Sequence, residues 1–206
     1  MNLKEIAGNS SSSALDHWFS SDAQFHKLYP DSIQLLSRNH WTALSVARKA
    51  ANFLAVQTGA RILDIGSGIG KFCLAAAYYR PGALYFGVEQ RKDLVEYSET
   101  ARARLGLNNV TFINRNFTEI DFGNYDHFYF YNAFYENVAS EEKIDDNIPY
   151  SAELYNYYNY YLYKQLEKMP SGTRVATFYG TEDIMPPGYH IGGSELDDLL
   201  KYWVKE

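Results

Sequence analysis

The stretch that decides the reading is Arg61-Ile-Leu-Asp-Ile-Gly-Ser-Gly-Ile-Gly-Lys-Phe72. Arg61–Ile65 has the character of a short buried strand, and Ile69–Tyr79 that of a helix stopped by Pro81-Gly82. Between them lie Gly66, Gly68 and Gly70. A loop without Cβ atoms lets a ligand come close to the backbone. At the start of a helix such a loop also aims unpaired N–H groups at that ligand. The spacing is G-x-G-x-G, and Lys71 stands where the third glycine of a dinucleotide-type G-x-G-x-x-G would fall, which weakens an NAD or FAD reading. It is not a P-loop either, since no G-K-[ST] follows at the required spacing.

Outward from this loop the chain alternates strand and helix. Leu84–Glu89 reads as a second strand, ending in Gly87-Val-Glu-Gln90. A carboxylate at that tip, Glu89, is placed to accept both hydroxyls of an adenosine ribose and would repel a 2′-phosphate, which argues against NADP. Leu94, Tyr97, Ala101 and Leu105 form the buried stripe of a helix that Gly106 ends. Val110–Asn114 and Phe128–Asn132 read as third and fourth strands, Tyr150–Met169 as a long helix and Thr173–Tyr179 as a fifth strand. Upstream, Thr42 reads as the N-cap of a helix with Leu44, Ala47, Ala51 and Leu54 on its apolar face and Gly59 at its exit. Such alternation implies parallel strands joined by crossovers. Tyr189–Ser194 and Leu199–Lys205, separated by a polar bend, suggest a closing antiparallel hairpin. The fold class is α/β: a single-domain, Rossmann-like doubly wound sheet, mostly parallel, with a C-terminal hairpin. Residues 1–40 form an N-terminal helical arm in this reading, with Ser10–Ser13 flexible and Ala14–Asn39 folded into one or two short helices over the sheet. Residues 41–206 form the domain proper.

Composition narrows the function. The chain has 206 residues, 46% of them apolar and 21% charged, which is ordinary for one folded domain. Its 17% aromatic content is not ordinary, and seven tyrosines fall in Tyr150–Tyr163 alone. That segment reads mainly as a helix packed on the sheet, with an aromatic acceptor wall as the sharper alternative. A formal net charge of −6 does not attract a phosphate backbone over the whole surface, so nucleic-acid and anionic-membrane partners are not expected. No apolar run reaches the roughly 18 residues of a membrane span. The polar N-terminus does not resemble a secretory signal. The single cysteine, Cys73, cannot form an internal disulfide and reads as a buried, inert thiol. A cytoplasmic protein is therefore expected. The five histidines are dispersed, so no metal site is expected. Glu141–Asp146 reads as a solvated loop.

From about His40 to Lys205 the chain resembles the class I S-adenosyl-L-methionine (SAM)-dependent methyltransferases. Leu63-Asp-Ile-Gly-Ser-Gly-Ile-Gly70 is similar to their first motif, and Gly87-Val-Glu89 to their second. Some details look closer to the non-SET histone-lysine methyltransferases: the Asp-x-Gly-Ser-Gly-x-Gly spacing, the Gly-Val-Glu strand and the pair Asn116-Phe117 after the third strand. The resemblance implies that Asp64, Gly66, Ser67, Gly68 and Gly70 hold the methionine end of SAM. It implies Glu89, with Gln90, on the ribose, Asn116 on the adenine amino group, Phe117 over the ring, and Trp41-Thr42 folded over the methionine. Asn stands at 116 where that branch has an acid, and no long basic segment is present, so the histone substrate does not carry over.

In an open α/β sheet the ligand crevice lies beyond the strand carboxyl ends where strand order reverses, which here is between the first and fourth strands. Asn132, Phe134 and Tyr135 should therefore face the transferred methyl. The Asn132 carbonyl is suited to accept a hydrogen bond from an amine, and the rings of Phe134 and Tyr135 to favour a sulfonium by about 0.5–2 kcal/mol. Asn132, which also belongs to the cofactor set, and Tyr135 are the candidate catalytic residues. Plain packing is the alternative for Tyr131, Phe134 and Tyr135. The expected activity is methyl transfer to an N or O nucleophile on a protein side chain or small molecule, releasing S-adenosyl-L-homocysteine (SAH). The rival readings are a non-catalytic SAM sensor and an aminopropyl transferase that would need an acid near the fourth-strand tip, where only Glu136 is close.

Overall fold

The computed structural model describes residues 15–138, 143–180 and 182–206. Seven strands form one sheet in the order β3-β2-β1-β4-β5-β7-β6. They are β1 (Arg61–Ile65), β2 (Leu84–Glu89), β3 (Val110–Asn114), β4 (His127–Tyr131), β5 (Arg174–Phe178), β6 (Tyr189–Glu195) and β7 (Leu200–Lys205). The first five run parallel, and β7 pairs antiparallel with both β5 and β6. The α/β reading, its parallel centre and its closing hairpin all match this sheet.

The strands are apolar because both faces of the sheet are covered. After a helical stretch at 15–18 come three short helices, α1 (Asp22–His26), α2 (Asp31–Gln34) and α3 (Ser37–His40), and then four longer ones: α4 (Leu44–Leu54), α5 (Lys71–Tyr79), α6 (Lys92–Leu105) and α7 (Ala152–Lys168). Ile62, Tyr85 and Tyr129 pack with α4, α5 and α6 on one face, and Leu63, Ile65, Phe128 and Phe130 pack with Leu162 and Leu166 of α7 on the other. The Tyr-rich helix is therefore mainly a covering layer: Tyr155, Tyr158 and Tyr161 lie against the core, while Tyr157 and Tyr160 are exposed.

Three local readings need correction. Among the described residues the N-terminal segment makes four short helical stretches, at 15–18 and in α1 to α3, where the sequence suggests one or two, because Pro30 and the turns around it divide a weakly periodic stretch. Thr42 does not cap α4. Ala43 is the N-cap residue, and the Leu44 N–H is satisfied by Asp22 Oδ1 at 3.0 Å, a partner from α1. Thr42 instead shares a hydrogen bond of 3.0 Å with the buried Tyr129 hydroxyl, which needs a partner in the core. Strand β4 stops at Tyr131 because Asn132 turns to φ 38°, a left-handed conformation that Asn tolerates better than most residues.

Two glycines set the shape of the loop after β1. Gly66 has φ 74°, and a Cβ there would stand 2.4 Å from the Ala133 Cβ, so the loop and the turn after β4 touch backbone to side chain. Gly70 has φ 77°, opens α5, and would drive a Cβ to 2.3 Å from the Phe112 ring. Gly106, the C-cap of α6, shares the left-handed φ at 66° but faces open space. Gly106→Ala should thus cost only the backbone term of about 1–2 kcal/mol. Gly70→Ala should cost at least twice that in a urea titration, and equal losses would show that the Phe112 contact is soft.

Candidate active site

The strand order reverses between β1 and β4, and a cavity of about 410 Å³ opens there at the carboxyl ends of β1, β2 and β4. That is the size and place of a small-molecule site in this architecture. Its wall is built from the glycine loop (Gly66, Gly68), the β2 tip (Glu89, Gln90, Arg91), the turn after β3 (Asn116, Phe117) and the turn after β4 (Asn132 to Asn137). Trp41 closes one side and Tyr158 of α7 another. Of the residues singled out in the sequence, Trp41, Gly66, Gly68, Glu89, Gln90, Asn116, Phe117, Asn132 and Tyr135 all line this cavity. Thr42, Asp64 and Ser67 line a smaller recess of about 30 Å³ that shares Trp41 and Gly66 with it. Gly70 lines neither; it turns the chain into α5, and its N–H donates to the Ser67 carbonyl at 2.8 Å.

Glu89 organises the centre. It is 5% exposed. Its Oε2 accepts the Gly68 N–H at 3.2 Å and its Oε1 accepts the Arg91 N–H at 2.8 Å. Burial pushes its pKa above the ordinary glutamate value, while the Arg91 N–H, the Arg91 charge and the Gly68 N–H pull it back. A carboxylate offers about four acceptor positions. One on each oxygen remains after these two bonds, which suits the vicinal hydroxyls of a ribose. Beside it the Arg91 guanidinium is buried against Glu89, Glu136 and Asp145.

The other walls differ in how free their polar atoms are. Asn116 is in place, but its Oδ1 accepts from both the N–H and the hydroxyl of Thr118, at 3.0 and 2.9 Å. Its Nδ2 donates to Tyr158 and Gln90. The acceptor expected of it toward an adenine amino group thus already takes two donors within a turn, while its Nδ2 holds the Gln90 Oε1 at 3.2 Å. Phe117 stacks on Phe134, with centroids 4.8 Å apart. Asn132 holds a left-handed φ at the cavity edge, and among the described residues its amide has no protein partner. Tyr179, at the tip of β5, lines the same rim with φ 53° and is half exposed. Strained non-glycine backbone gathered at one rim is a recurring mark of functional sites.

Several cavity residues escaped the sequence reading. Arg91 carried a signal, standing two places after the candidate ribose acid. Tyr158 falls in the Tyr-rich segment whose alternative reading is an aromatic wall, whereas Arg38 and Arg115 carried no signal, because their meeting depends on elements far apart in the chain. Asp145 and Ile144 were assigned to a solvated loop. In the structure Asp145 pairs with Arg91 at 3.2 Å and Ile144 lines the cavity; Glu141 and Glu142 lie outside the described residues. Glu136, the acid an aminopropyl transferase would want, is taken up by Arg91 at 2.8 Å.

Residues 57–154 match the family model of a methyltransferase domain. The chain has the fold of the class I, SAM-dependent methyltransferases. A 54-residue stretch is 48% identical to a tRNA (guanine-N(7)-)-methyltransferase of Synechococcus sp. (strain JA-3-3Ab), covering 26% of this chain and 23% of that relative. Among solved structures, an RNA methyltransferase of Salinibacter ruber in complex with SAH superposes with a TM-score of 0.55 at 20% identity, covering 80% of this chain and 92% of its own. TrmN of Thermus thermophilus superposes with a TM-score of 0.58 at 16% identity, over 80% of this chain and 49% of its own. The chain thus spans about a quarter of the curated relative and about half of TrmN. The Synechococcus relative and the Salinibacter structure are named for RNA methylation rather than histones, and the histone-lysine branch is not carried further. Among the described residues no helix of this methyltransferase fold is long and apolar enough to cross a membrane.

The buried acid under the glycine loop gives a pH signature. Burial raises the pKa of Asp64 from 3.8 to about 8; the Cys73 thiol, 3.7 Å away, opposes the rise and the charge of Glu89 adds to it. Between those two values the native state keeps a proton that the unfolded chain has lost. Stability therefore falls as pH rises through that window, by up to about 1.4 kcal/mol per pH unit. Asp64→Asn keeps the neutral shape without the titration. Its melting temperature should gain on the wild type on going from about pH 5 to about pH 8, and a constant offset would show that Asp64 stays ionised.

Proposed function

We propose that this chain binds SAM in the cavity at the β1–β4 reversal and transfers its methyl group to a nitrogen or oxygen of an acceptor entering past Asn132. The observation that carries the reading is the Glu89 carboxylate. It is buried, tied to the glycine loop through Gly68, and left with one acceptor position on each oxygen. When bound, the cofactor supplies the activated methyl, so the chain's own work is alignment. Glu89 binds the ribose hydroxyls. Gln90, held by Asn116, takes the adenine edge, and Phe117 lies against the ring. Gly66 and Gly68 keep the backbone open to the methionine portion, with Trp41 and Thr42 covering its far end and Asp64 and Ser67 lining the recess beside it. The free Asn132 carbonyl orients the acceptor amine or hydroxyl, and Tyr135 borders the entry. The aminopropyl alternative is disfavoured because Glu136 is already paired.

The rim favours a nucleobase in RNA as the acceptor. Tyr135 and Tyr179 are half exposed there, and Arg38 and Arg115 line the same cavity with no partner for their side chains among the described residues. Tyrosine faces stack on bases and arginines meet phosphates. The relative and the solved structure named for RNA methylation support the same reading. It revises the expectation drawn from the net charge, because a local pair of arginines can serve a site while the whole surface stays acidic. Two phosphate contacts would give only a shallow salt dependence, with a slope of about −1.4 in log–log form for a single strand.

Titration calorimetry with SAH tests the cofactor half. Glu89→Gln, which removes the charge and one acceptor, should weaken SAH by about 1–3 kcal/mol; unchanged affinity would remove Glu89 from the site. Incubation of the protein with methyl-labelled SAM and separated tRNA, rRNA, protein and small-molecule fractions tests the acceptor. Label in an RNA fraction is expected. Label only in protein or small molecules would overturn the RNA reading alone, and SAH binding with no transfer to any fraction would favour a sensor.

A further inference from the structure

Arg91 is the second residue after β2 and the N-cap of α6. Its side chain is only 3% exposed, yet three carboxylates converge on it. Nη2 donates to Glu136 Oε2 at 2.8 Å and to the Tyr150 hydroxyl at 2.6 Å, Nε donates to Asp145 Oδ2 at 3.2 Å, and Nη1 lies 3.6 Å from Glu89 Oε1. Tyr150 in turn donates to the Asp145 carbonyl at 2.7 Å. These partners come from two places. Glu89 lines the cavity on the proposed cofactor side, whereas Glu136, Asp145 and Tyr150 belong to the chain between β4 and α7, of which Glu136 and Ile144 line the cavity.

We infer that Arg91 is a positioning residue that couples the cofactor-binding Glu89 to the acceptor wall at Glu136, Asp145 and Tyr150. The inference rests on the proposed SAM site. Its physical basis is the planar guanidinium, whose donors point in fixed directions, so partners held by it share one geometry. A buried cation also has to keep its carboxylates near, since leaving any of these charges unpaired away from water is costly. When ribose hydroxyls engage Glu89, the carboxylate is fixed against both the hydroxyls and Arg91, and the guanidinium transmits that restraint to Glu136 and Tyr150. A lysine carries the same charge but is a compact point charge without the fork. It can neutralise the cluster without holding all of its members in register.

Calorimetry with SAH, together with amide hydrogen exchange of peptides within 133–138 and 143–150, tests this on the full chain, with melting temperatures as the folding control. In the wild type, SAH should slow exchange in both segments. A folded Arg91→Lys should lose that ligand-induced protection and bind SAH about tenfold more weakly. Glu136→Gln should lose the protection while its SAH affinity changes by less than about threefold, because the bond it weakens lies on the acceptor side. Where Arg91→Lys does not fold, Glu136→Gln and Tyr150→Phe carry the same comparison. SAH binding to Arg91→Lys with wild-type affinity and protection would overturn the coupling and leave the cofactor site standing, as would wild-type binding that leaves both segments unprotected. A wild type that does not bind SAH would overturn the cofactor reading and the coupling together.

Discussion

The site depends on one buried carboxylate. Glu89 sits at the end of β2 and reaches across to the Gly68 N–H in the loop after β1. The parallel pairing of β1 with β2 makes this reach possible, since Ile65 and Val88 lie in register and the two tips emerge side by side. An ionised carboxylate out of water has to be matched by donors or cations. Here the donors are the backbone of the glycine loop and of the α6 N-terminus, and the cation is Arg91. Charge compensation and ligand geometry are thereby met by the same atoms.

Close packing around the loop follows from that arrangement. Gly66 comes against Ala133, and Gly70 against Phe112, at distances no side chain could share. The turn after β4 is thus pressed onto the loop after β1, and the cavity opens beside that contact rather than within it. Asn132 lies next to Ala133 and is held in a left-handed conformation, with no partner for its amide among the described residues. The aromatic pair Phe117 and Phe134 continues the wall into the core beneath α7, so that side of the cavity is a lobe of the hydrophobic cluster on that face.

The N-terminal helices pack into the same structure. Phe19, Phe25, Leu28 and Tyr29 belong to the core cluster that contains α4 and α5, and the Tyr29 hydroxyl donates to the Ile69 carbonyl in the glycine loop at 2.9 Å. Asp22 satisfies the first N–H of α4 and pairs with the buried Lys71 at the start of α5. Lys71 also meets His26 at 3.0 Å, and burial lowers its pKa. One short helix therefore braces the starts of two longer ones.

The sequence by itself determined the strands, the order of elements, the glycine loop and the acid one strand away. Those features are local: apolar runs between turn residues, three glycines between a strand and a helix, a glutamate at a strand tip. Their signals survive because each is written within a few residues, and the doubly wound sheet follows from the alternation. The cap of α4, the real work of Asn116 and the pairing of Asp145 were decided only in the tertiary structure. In each case the partner comes from elsewhere in the chain: Asp22 for α4, Tyr158 and Gln90 for Asn116, Arg91 for Asp145. Thr42 had the right chemistry for a cap, but a buried tyrosine hydroxyl 87 positions away claimed it. Polar side chains in a packed core answer to whichever unpaired group the fold brings within about 3 Å, and the sequence around each residue does not record which group that will be.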